Sequence, residues 1–188
     1  MEIIRIKYII GLIALFGVAL VAPNLTTVAR AAQNGVDEIQ SPNLPAGCGT
    51  LQIPAGNKAS FHVYAIGVQI YRWDGTNWNF VAPVANLYAD AGFNGKVGIH
   101  YAGPTWESNS GSRVAAKRLD GCTPDSNAIP WLKLQTVSTE KPGIFGKVTY
   151  IQRVNTTGGL TPALPGFFVG EEKRVPYTAE YFFYRAED

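Results

Sequence analysis

After residue 31, glycine and proline interrupt this sequence so often that the chain cannot form several long helices. The chain has 20 glycines and 12 prolines, and only Gly11, Gly17 and Pro23 come before residue 32. Between these breakers the segments are short and rich in Val, Ile, Tyr, Phe, Trp and Thr, which suit a pleated, half-buried surface. The pattern predicts an all-β single domain, either an antiparallel β-sandwich or a partly closed β-barrel with long loops.

The clearest strand lies near the C-terminus, where Val175, Tyr177, Ala179, Tyr181 and Phe183 occupy alternate positions. This spacing is typical of a strand with one buried face. The predicted strands are residues 50–53, 60–73, 78–81, 96–102, 112–118, 130–137, 146–155 and 175–184.

Other local patterns predict what connects these strands. Asp74-Gly75 between two tryptophans is typical of a hairpin turn, and Gly67 indicates a bulge or bend within a long strand. Residues 84–91 and 119–127 are each predicted to hold one helical turn. Residues 158–170 are predicted to form a long loop.

The first 31 residues have the three-part layout of a secretory signal peptide. Arg5 and Lys7 precede an uncharged, mostly apolar run over residues 8–22, and Ala29-Arg30-Ala31 supplies small residues for cleavage. The run is shorter than the roughly 20 residues that span a bilayer, so no membrane span is expected after cleavage near Ala31. A retained membrane anchor is the alternative. We therefore predict a signal peptide over 1–31, an extended arm over 32–46 and one secreted or periplasmic β-domain over 47–188.

Cleavage would remove the excess positive charge. The formal net charge is +2, and Arg5, Lys7 and Arg30 would leave together with Glu2. The remaining chain is neutral, which argues against nucleic acid as a partner and against attraction to anionic membranes by net charge. We expect a monomer that needs no cofactor.

Cys48 and Cys122 are the only cysteines. In an exported protein an even count favours a disulfide. Closing a loop of about 75 residues would stabilise the fold by roughly 4–5 kcal/mol on the chain-entropy argument. Two separate buried thiols are the alternative, and this spacing is not a metal-binding motif.

Five long strings resemble a known family. They are residues 64–71 (YAIGVQIY), 100–107 (HYAGPTWE), 128–132 (AIPWL), 148–159 (VTYIQRVNTTGG) and 176–179 (PYTA). Together they resemble the domain of unknown function 3455, an uncharacterised secreted family of bacteria and fungi, over roughly residues 44–184. The resemblance implies a secreted single-domain protein and transfers no activity or catalytic residue. Some members are labelled dehydrogenases, but this chain lacks a Gly-x-Gly-x-x-Gly turn and a strand–helix alternation, so a Rossmann enzyme is excluded.

One hypothesis places chemistry at a histidine. His62 and His100 are the only histidines, and Glu107 follows His100 by seven residues. His100 and Glu107 would act as a general acid–base pair, with Arg153 contacting an anion or transition state, in a hydrolase or metal-dependent enzyme. This requires the three side chains to converge in one pocket. The alternative is that each histidine is hydrogen-bonded in or beside the core, and no metal ligand is assigned.

The leading hypothesis is a non-catalytic protein that binds a glycan or cell-envelope component. Trp73 and Trp78 flank the Asp-Gly turn and Trp106 follows Gly-Pro-Thr, and tryptophans at loop tips either meet a partner or fold back. The predicted binding residues are Trp73, Asp74, Trp78, Trp106, Gln152 and Asn155. Analogy with other secreted β-domains contributes to this inference. A structural envelope protein without a small ligand is the third reading.

Overall fold

The computed structural model describes residues 39–187, and all of their strands belong to one antiparallel sheet. A 3₁₀ helix at Gly49–Leu51 precedes eight strands. They are β1 (Asn57–Trp73), β2 (Trp78–Tyr88), β3 (Lys96–Tyr101), β4 (Thr105–Ser108), β5 (Arg113–Cys122), β6 (Trp131–Glu140), β7 (Val148–Gly158) and β8 (Glu172–Ala186). Each strand pairs with the next, and β8 pairs back with β1, so the sheet closes into a barrel. The all-β prediction is confirmed. The predicted signal peptide and the first part of the predicted arm lie outside the described residues.

The two longest strands close the ring. β1 pairs with β8 from Asn57 opposite Ala186 to Arg72 opposite Glu172, and its other edge pairs with β2. Gly67 lies in unbroken register opposite Ala85, and the shift in register falls between Ile70 and Tyr71 instead. A Cβ atom at position 67 would lie 2.2 Å from the carbonyl oxygen of Val84. Glycine is therefore required here because the backbones approach closely, rather than for a bulge.

Alternate residues of β8 fill the barrel. Tyr177, Ala179, Tyr181 and Phe183 are all nearly fully buried in the main core, as the spacing predicted. Trp106 of β4 packs edge-on against Tyr181, with ring centroids 5.3 Å apart. Large aromatic side chains thus fill much of the interior of the barrel.

The opposite face of β8 is also buried. Phe182 and Tyr184 form a second apolar cluster with Val154, and Ile39 and Ile53 from the segment before β1 pack in this cluster. That segment covers the outside of the barrel at β7 and β8. This explains why the sequence of β8 is aromatic at consecutive positions near its end.

The predicted disulfide is confirmed. Cys48 and Cys122 are bonded, with their Cα atoms 5.5 Å apart. The bond joins the residue preceding the 3₁₀ helix to the last residue of β5. It therefore holds the covering segment against the barrel.

Three further local predictions were wrong. Residues 50–53 do not form a strand, because the amides of Leu51 and Gln52 donate to carbonyls three residues earlier and close a 3₁₀ turn. Residues 84–88 continue β2, and residues 119–122 continue β5, where helical turns were predicted. The short strand β4, which follows directly after the Gly103-Pro104 turn, was not predicted.

Among residues 39–187, no helix has the length and apolar character needed to cross a membrane.

Candidate ligand site inside the barrel

A cavity of about 210 Å³ lies inside the barrel beside the turn between β3 and β4. Every strand contributes to its lining. In order from β1 to β8, these contributions include Gln69, Pro83, His100, Trp106, Arg118, Leu132, Arg153 and Tyr181. The closed sheet is thus what brings together side chains that are far apart in the sequence.

Three buried side chains in this lining carry polar atoms without a hydrogen-bond partner among the described residues. They are Gln69 Nε2, Trp106 Nε1 and the Tyr181 hydroxyl. The Tyr181 hydroxyl is outside ordinary hydrogen-bond geometry, although Tyr177 and Arg153 lie close enough for weak hydrogen bonding to oppose the rise in its pKa. The exposed fractions of Gln69, Trp106 and Tyr181 are 2%, 1% and 1%. Leaving a buried polar group unpaired costs about 1–3 kcal/mol, and such groups are rare in folded proteins. Their gathering around one cavity marks a place where hydrogen bonds to its contents can form.

His100 lies in the same lining and is held in one tautomer. Its Nδ1–H donates to the carbonyl oxygen of Thr105 at 2.8 Å, and its ring stacks on Trp106 with centroids 4.3 Å apart. Burial is the main cause that lowers the pKa of His100 to about 3. The hydrogen bond to Thr105 acts in the opposite direction, whereas the positive charge of Arg153 lowers the pKa further. His100 is therefore neutral near pH 7, with Nε2 as an acceptor.

Arg153 brings positive charge to the cavity. Its Nε and Nη2 atoms both donate to the carbonyl oxygen of Pro130, at 3.1 and 2.8 Å. Among residues 39–187, no carboxylate lies within 4 Å of its guanidinium. Burial raises the pKa of Tyr181, and the charge of Arg153 is the largest effect that opposes this rise. The side chain is thus a half-buried cation without a protein counterion in the described part of the chain.

The predicted catalytic group is not assembled. His100 and Arg153 line the cavity, but Glu107 directly follows the inward-pointing Trp106 and lies on the outer face of β4. There Glu107 accepts a hydrogen bond from the Tyr101 hydroxyl at 2.9 Å and forms an ion pair with Arg113, also at 2.9 Å. The bonds from Arg113 and Tyr101 hold the pKa of Glu107 below its usual value.

The predicted tryptophan surface is not assembled either. Trp106 is inside the barrel, where it lines the cavity. Trp78 is buried, and its Nε1–H donates to the carbonyl oxygen of Leu164 at 2.8 Å. Trp73 is half-buried and packs beside Gly166. Both tryptophans of the hairpin therefore fold back against the loop between β7 and β8.

The polar residues predicted to bind a ligand bond to the protein itself. Asp74 Oδ1 accepts the backbone N–H groups of Thr76 and Asn77, at 2.8 and 2.7 Å, and so shapes the hairpin turn. These two bonds and one from Asn79 lower the pKa of Asp74.

Gln152 and Asn155 lie outside the barrel. Gln152 Nε2 donates to the carbonyl oxygen of Leu51 at 2.7 Å, and Gln152 Oε1 accepts from the Tyr184 hydroxyl. Asn155 donates to Glu180, whose other oxygen contacts His62 Nε2 at 3.0 Å.

The two histidines do not share a site. His62 stacks on Phe182 on the outer face of the sheet, whereas His100 points into the barrel. Within residues 39–187, no group of three or more His, Cys, Asp or Glu side chains is placed to hold a metal ion.

A second cavity, of about 450 Å³, is larger. Its lining combines apolar side chains with four polar ones, which are His62, Ser108, Asn109 and Ser110. None of the unpartnered buried side-chain atoms in the described chain belongs to a residue of this lining. The smaller cavity is therefore the candidate site, because its polar groups lack partners.

Gln69 and Tyr181 were missed as site residues. Gln69 occupies an inward position of β1 between Ala65 and Tyr71, which are both buried. A polar residue in the apolar phase of a strand was the available clue. Tyr181 gave no such clue, because a tyrosine on a core face is ordinary.

The fold and the cavity define a class of protein: an all-β barrel with one disulfide bond and an internal cavity that is lined partly by polar side chains. The particular family follows from comparison with known families. The family described as a protein of unknown function (DUF3455) matches residues 54–185, and this chain belongs to that family. No curated protein and no solved structure matches the chain.

Proposed function

We propose that this protein binds a small polar molecule inside its barrel and does not transform it. One observation carries the proposal: Gln69, Trp106 and Tyr181 all line one cavity, and each has a buried polar atom outside ordinary hydrogen-bond geometry to any described residue. Ligand pockets combine an apolar lining with a few such converging polar groups. Leu132, Leu134 and Pro83 supply the apolar part here.

The size of the cavity limits the ligand. Pockets for drug-sized molecules typically have volumes of about 300–1,000 Å³, whereas this one has about 210 Å³. The occupant would be the size of one sugar unit or a small organic acid. The cell-envelope ligand predicted from the sequence is thereby narrowed to a small component rather than a polymer.

The same proposal places the protein outside the cytoplasm. Its support is the signal-peptide pattern of the first 31 residues together with the Cys48–Cys122 bond. Disulfides persist in oxidising compartments and are rare in the cytosol.

An enzyme centred on His100 is less well supported. No aspartate or glutamate of the described residues lines the cavity, so His100 has no carboxylate partner there. A histidine with a pKa of about 3 is also a weak base near neutral pH.

The test is a thermal-shift screen of the oxidised protein, purified after export. The compounds are small polar molecules, both neutral sugars and organic acids. At least one compound should raise the melting temperature of the wild-type protein, and the rise should shrink in Gln69→Leu. Lys117→Ala, on the exposed part of β5, is the matched control and should respond like wild type. If no compound shifts the melting temperature, the ligand-binding proposal fails and a purely structural envelope protein replaces it.

A further inference from the structure

We infer that the ligand of this cavity carries a carboxylate, and that Arg153 is the residue that neutralises it. This inference rests on the proposed function and specifies its ligand. The observations behind it are the charge balance of the cavity lining, its excess of hydrogen-bond donors and the orientation of His100.

The lining is positively charged. Arg153 and Arg118 both belong to it, and no aspartate or glutamate of the described chain does. Neither arginine has a carboxylate within 4 Å among residues 39–187. Arg118 is exposed to solvent, whereas Arg153 is half-buried. A cation that is partly withdrawn from water is unfavourable unless an anion accompanies it. The missing counterion therefore concerns chiefly Arg153.

The polar atoms of the lining are mostly donors. The indole N–H of Trp106 and the guanidinium groups of Arg153 and Arg118 can only donate, Gln69 and Tyr181 can both donate and accept, and only His100 Nε2 is solely an acceptor. A carboxylate only accepts, and its two oxygens offer about four acceptor positions. A neutral sugar hydroxyl would require a more even mixture of donors and acceptors. The donor excess therefore selects an anion.

A single negative charge fits better than two. One edge of the Arg153 guanidinium is occupied, because Nε and Nη2 both donate to the Pro130 carbonyl. The remaining Nη1–Nη2 edge can hold a carboxylate or a phosphate through two hydrogen bonds, so the choice between these anions depends on charge. A phosphate monoester carries about −1.5 to −2 charges near pH 7, which one half-buried arginine would leave only partly neutralised. A carboxylate matches the one charge that is partly withdrawn from water, that of Arg153, whereas Arg118 is exposed to solvent.

His100 adds a second element to the ligand. Because Nδ1 carries the proton that bonds to Thr105, Nε2 is left as an acceptor. A hydroxyl group on the ligand can donate to it. The cavity thus fits a hydroxy acid or a sugar acid, in which a hydroxyl lies near the carboxylate.

The experiment compares acids with their neutral amides in the same protein. The probes are glucuronate, galacturonate, lactate and mandelate, each paired with its primary amide, with glucose and glucose 6-phosphate as further arms. Binding is measured by titration calorimetry on the full oxidised protein at low salt. At least one acid should bind roughly tenfold or more tightly than its amide, as expected for a charge-assisted hydrogen bond.

The variants locate the charge that is responsible. Arg153→Gln should remove the preference for the acid over the amide, and circular dichroism should first show that this variant is folded. Arg174→Gln, at an exposed arginine outside the cavity lining, is the matched control and should change acid affinity less than threefold. Arg118→Gln tests the other arginine of the lining and should lower acid affinity less than Arg153→Gln does. If Arg153→Gln does not fold, the acid–amide comparison in wild type still decides the inference.

The outcomes separate the two proposals. If amides or glucose bind as tightly as the acids, or glucose 6-phosphate binds more tightly, the carboxylate inference is overturned while the ligand-binding proposal stands. If none of these probes and none of the screened compounds bind, both fail. If the preference for the acid survives in Arg153→Gln and is lost in Arg118→Gln, then Arg118 neutralises the ligand. That result would overturn the role given to Arg153.

Discussion

The buried His100 makes the stability of this protein depend on pH. Its pKa in the folded protein is about 3, against about 6.5 in an unfolded chain. Well above pH 6.5 this residue is neutral in both states and has no effect on the pH dependence of stability. As the pH falls from 6.5 towards 3, the unfolded state takes up a proton that the folded state does not. Stability is therefore lost across that window, by roughly 2–3 kcal/mol between pH 6.5 and 4.5 from this group alone.

Urea unfolding at pH 7.5 and pH 4.5 measures this loss. In His100→Gln the loss between the two values should shrink by about the amount due to the histidine. His62→Gln changes the other histidine, on the outer face, and should keep the contribution of His100. An equal loss in wild type and in His100→Gln would show that His100 is not the group responsible.

Two equally buried glutamines should respond in opposite ways to the same substitution. Gln69 and Gln152 are each 2% exposed. Gln69 Nε2 has no partner among the described residues, whereas the amide of Gln152 bonds to Leu51 and Tyr184. Gln69→Leu should leave the free energy of unfolding unchanged or raise it by about 1 kcal/mol. Gln152→Leu should lower it by about 2–3 kcal/mol, because its partners lose their bonds.

Urea unfolding at pH 7.5 compares the two variants. A large loss of stability in Gln69→Leu would mean that its amide is satisfied in the folded protein, for example by a tightly held water molecule, and would weaken the case for a ligand.

At the residue scale, the sequence indicated which residues could carry chemistry more reliably than it indicated which of them lie together. His100 and Arg153 were candidates because few other residues could carry chemistry, and both line the cavity. Glu107 was joined to them because it is near His100 in the sequence. In a strand, neighbouring side chains point to opposite faces, and the inward position belongs to Trp106. Which face is inward depends on the closed sheet, and this could not be read from spacing alone.

At the scale of elements, the disulfide should stabilise the covering segment as well as the chain. It ties Cys48 to β5, and the segment that follows packs on Phe182 and Tyr184. Cys48→Ala/Cys122→Ala should lower the free energy of unfolding by up to roughly 4–5 kcal/mol. Urea unfolding with and without reductant checks this: reductant should destabilise wild type and leave the double variant unchanged. Wild type that is insensitive to reductant, once free thiols are detected, would contradict the prediction.

The pairing of β1 with β2 should tolerate no side chain at Gly67. An added Cβ atom would lie 2.2 Å from Val84 O and 2.5 Å from Ala85 Cα. Gly67→Ala should therefore destabilise the protein by about 2 kcal/mol or more, since backbone atoms must move. At Gly49 an added Cβ would meet nothing within 4 Å. Gly49→Ala is the control and should change the melting temperature little, and equal effects of the two substitutions would refute the argument.

Strands were predictable from the sequence where the alternation of inward and outward residues extends over many positions. The alternation along β8 was recognised because it continues over many residues, and its inward set is buried as expected. β4 has four residues and a turn with proline beside it, too short for any periodicity. Residues 50–53 contain β-formers, but their conformation is decided by 3₁₀ hydrogen bonds next to the disulfide rather than by propensity.

At the scale of the whole molecule, the sequence predicted the class of fold and left its closure open. Short segments rich in β-branched and aromatic residues indicate a sheet wherever they occur. Closure depends on whether β1 and β8 lie edge to edge, which is a relation between opposite ends of the domain. The cavity depends on it as well, because all eight strands contribute residues to its lining. A binding site built this way leaves no contiguous motif in the sequence.

The pairing of β1 with β8 also has a consequence for biosynthesis. The first strand to be made lacks one of its two neighbours until the last strand has been completed. Until then, β1 and β7 each present an open edge with unpaired backbone groups, the condition in which strands associate with other chains. Pairing over so long a sequence separation is also slow. Because the barrel cannot close before β8 has been made, the chain stays unfolded for most of its synthesis, a property that agrees with the export proposed above.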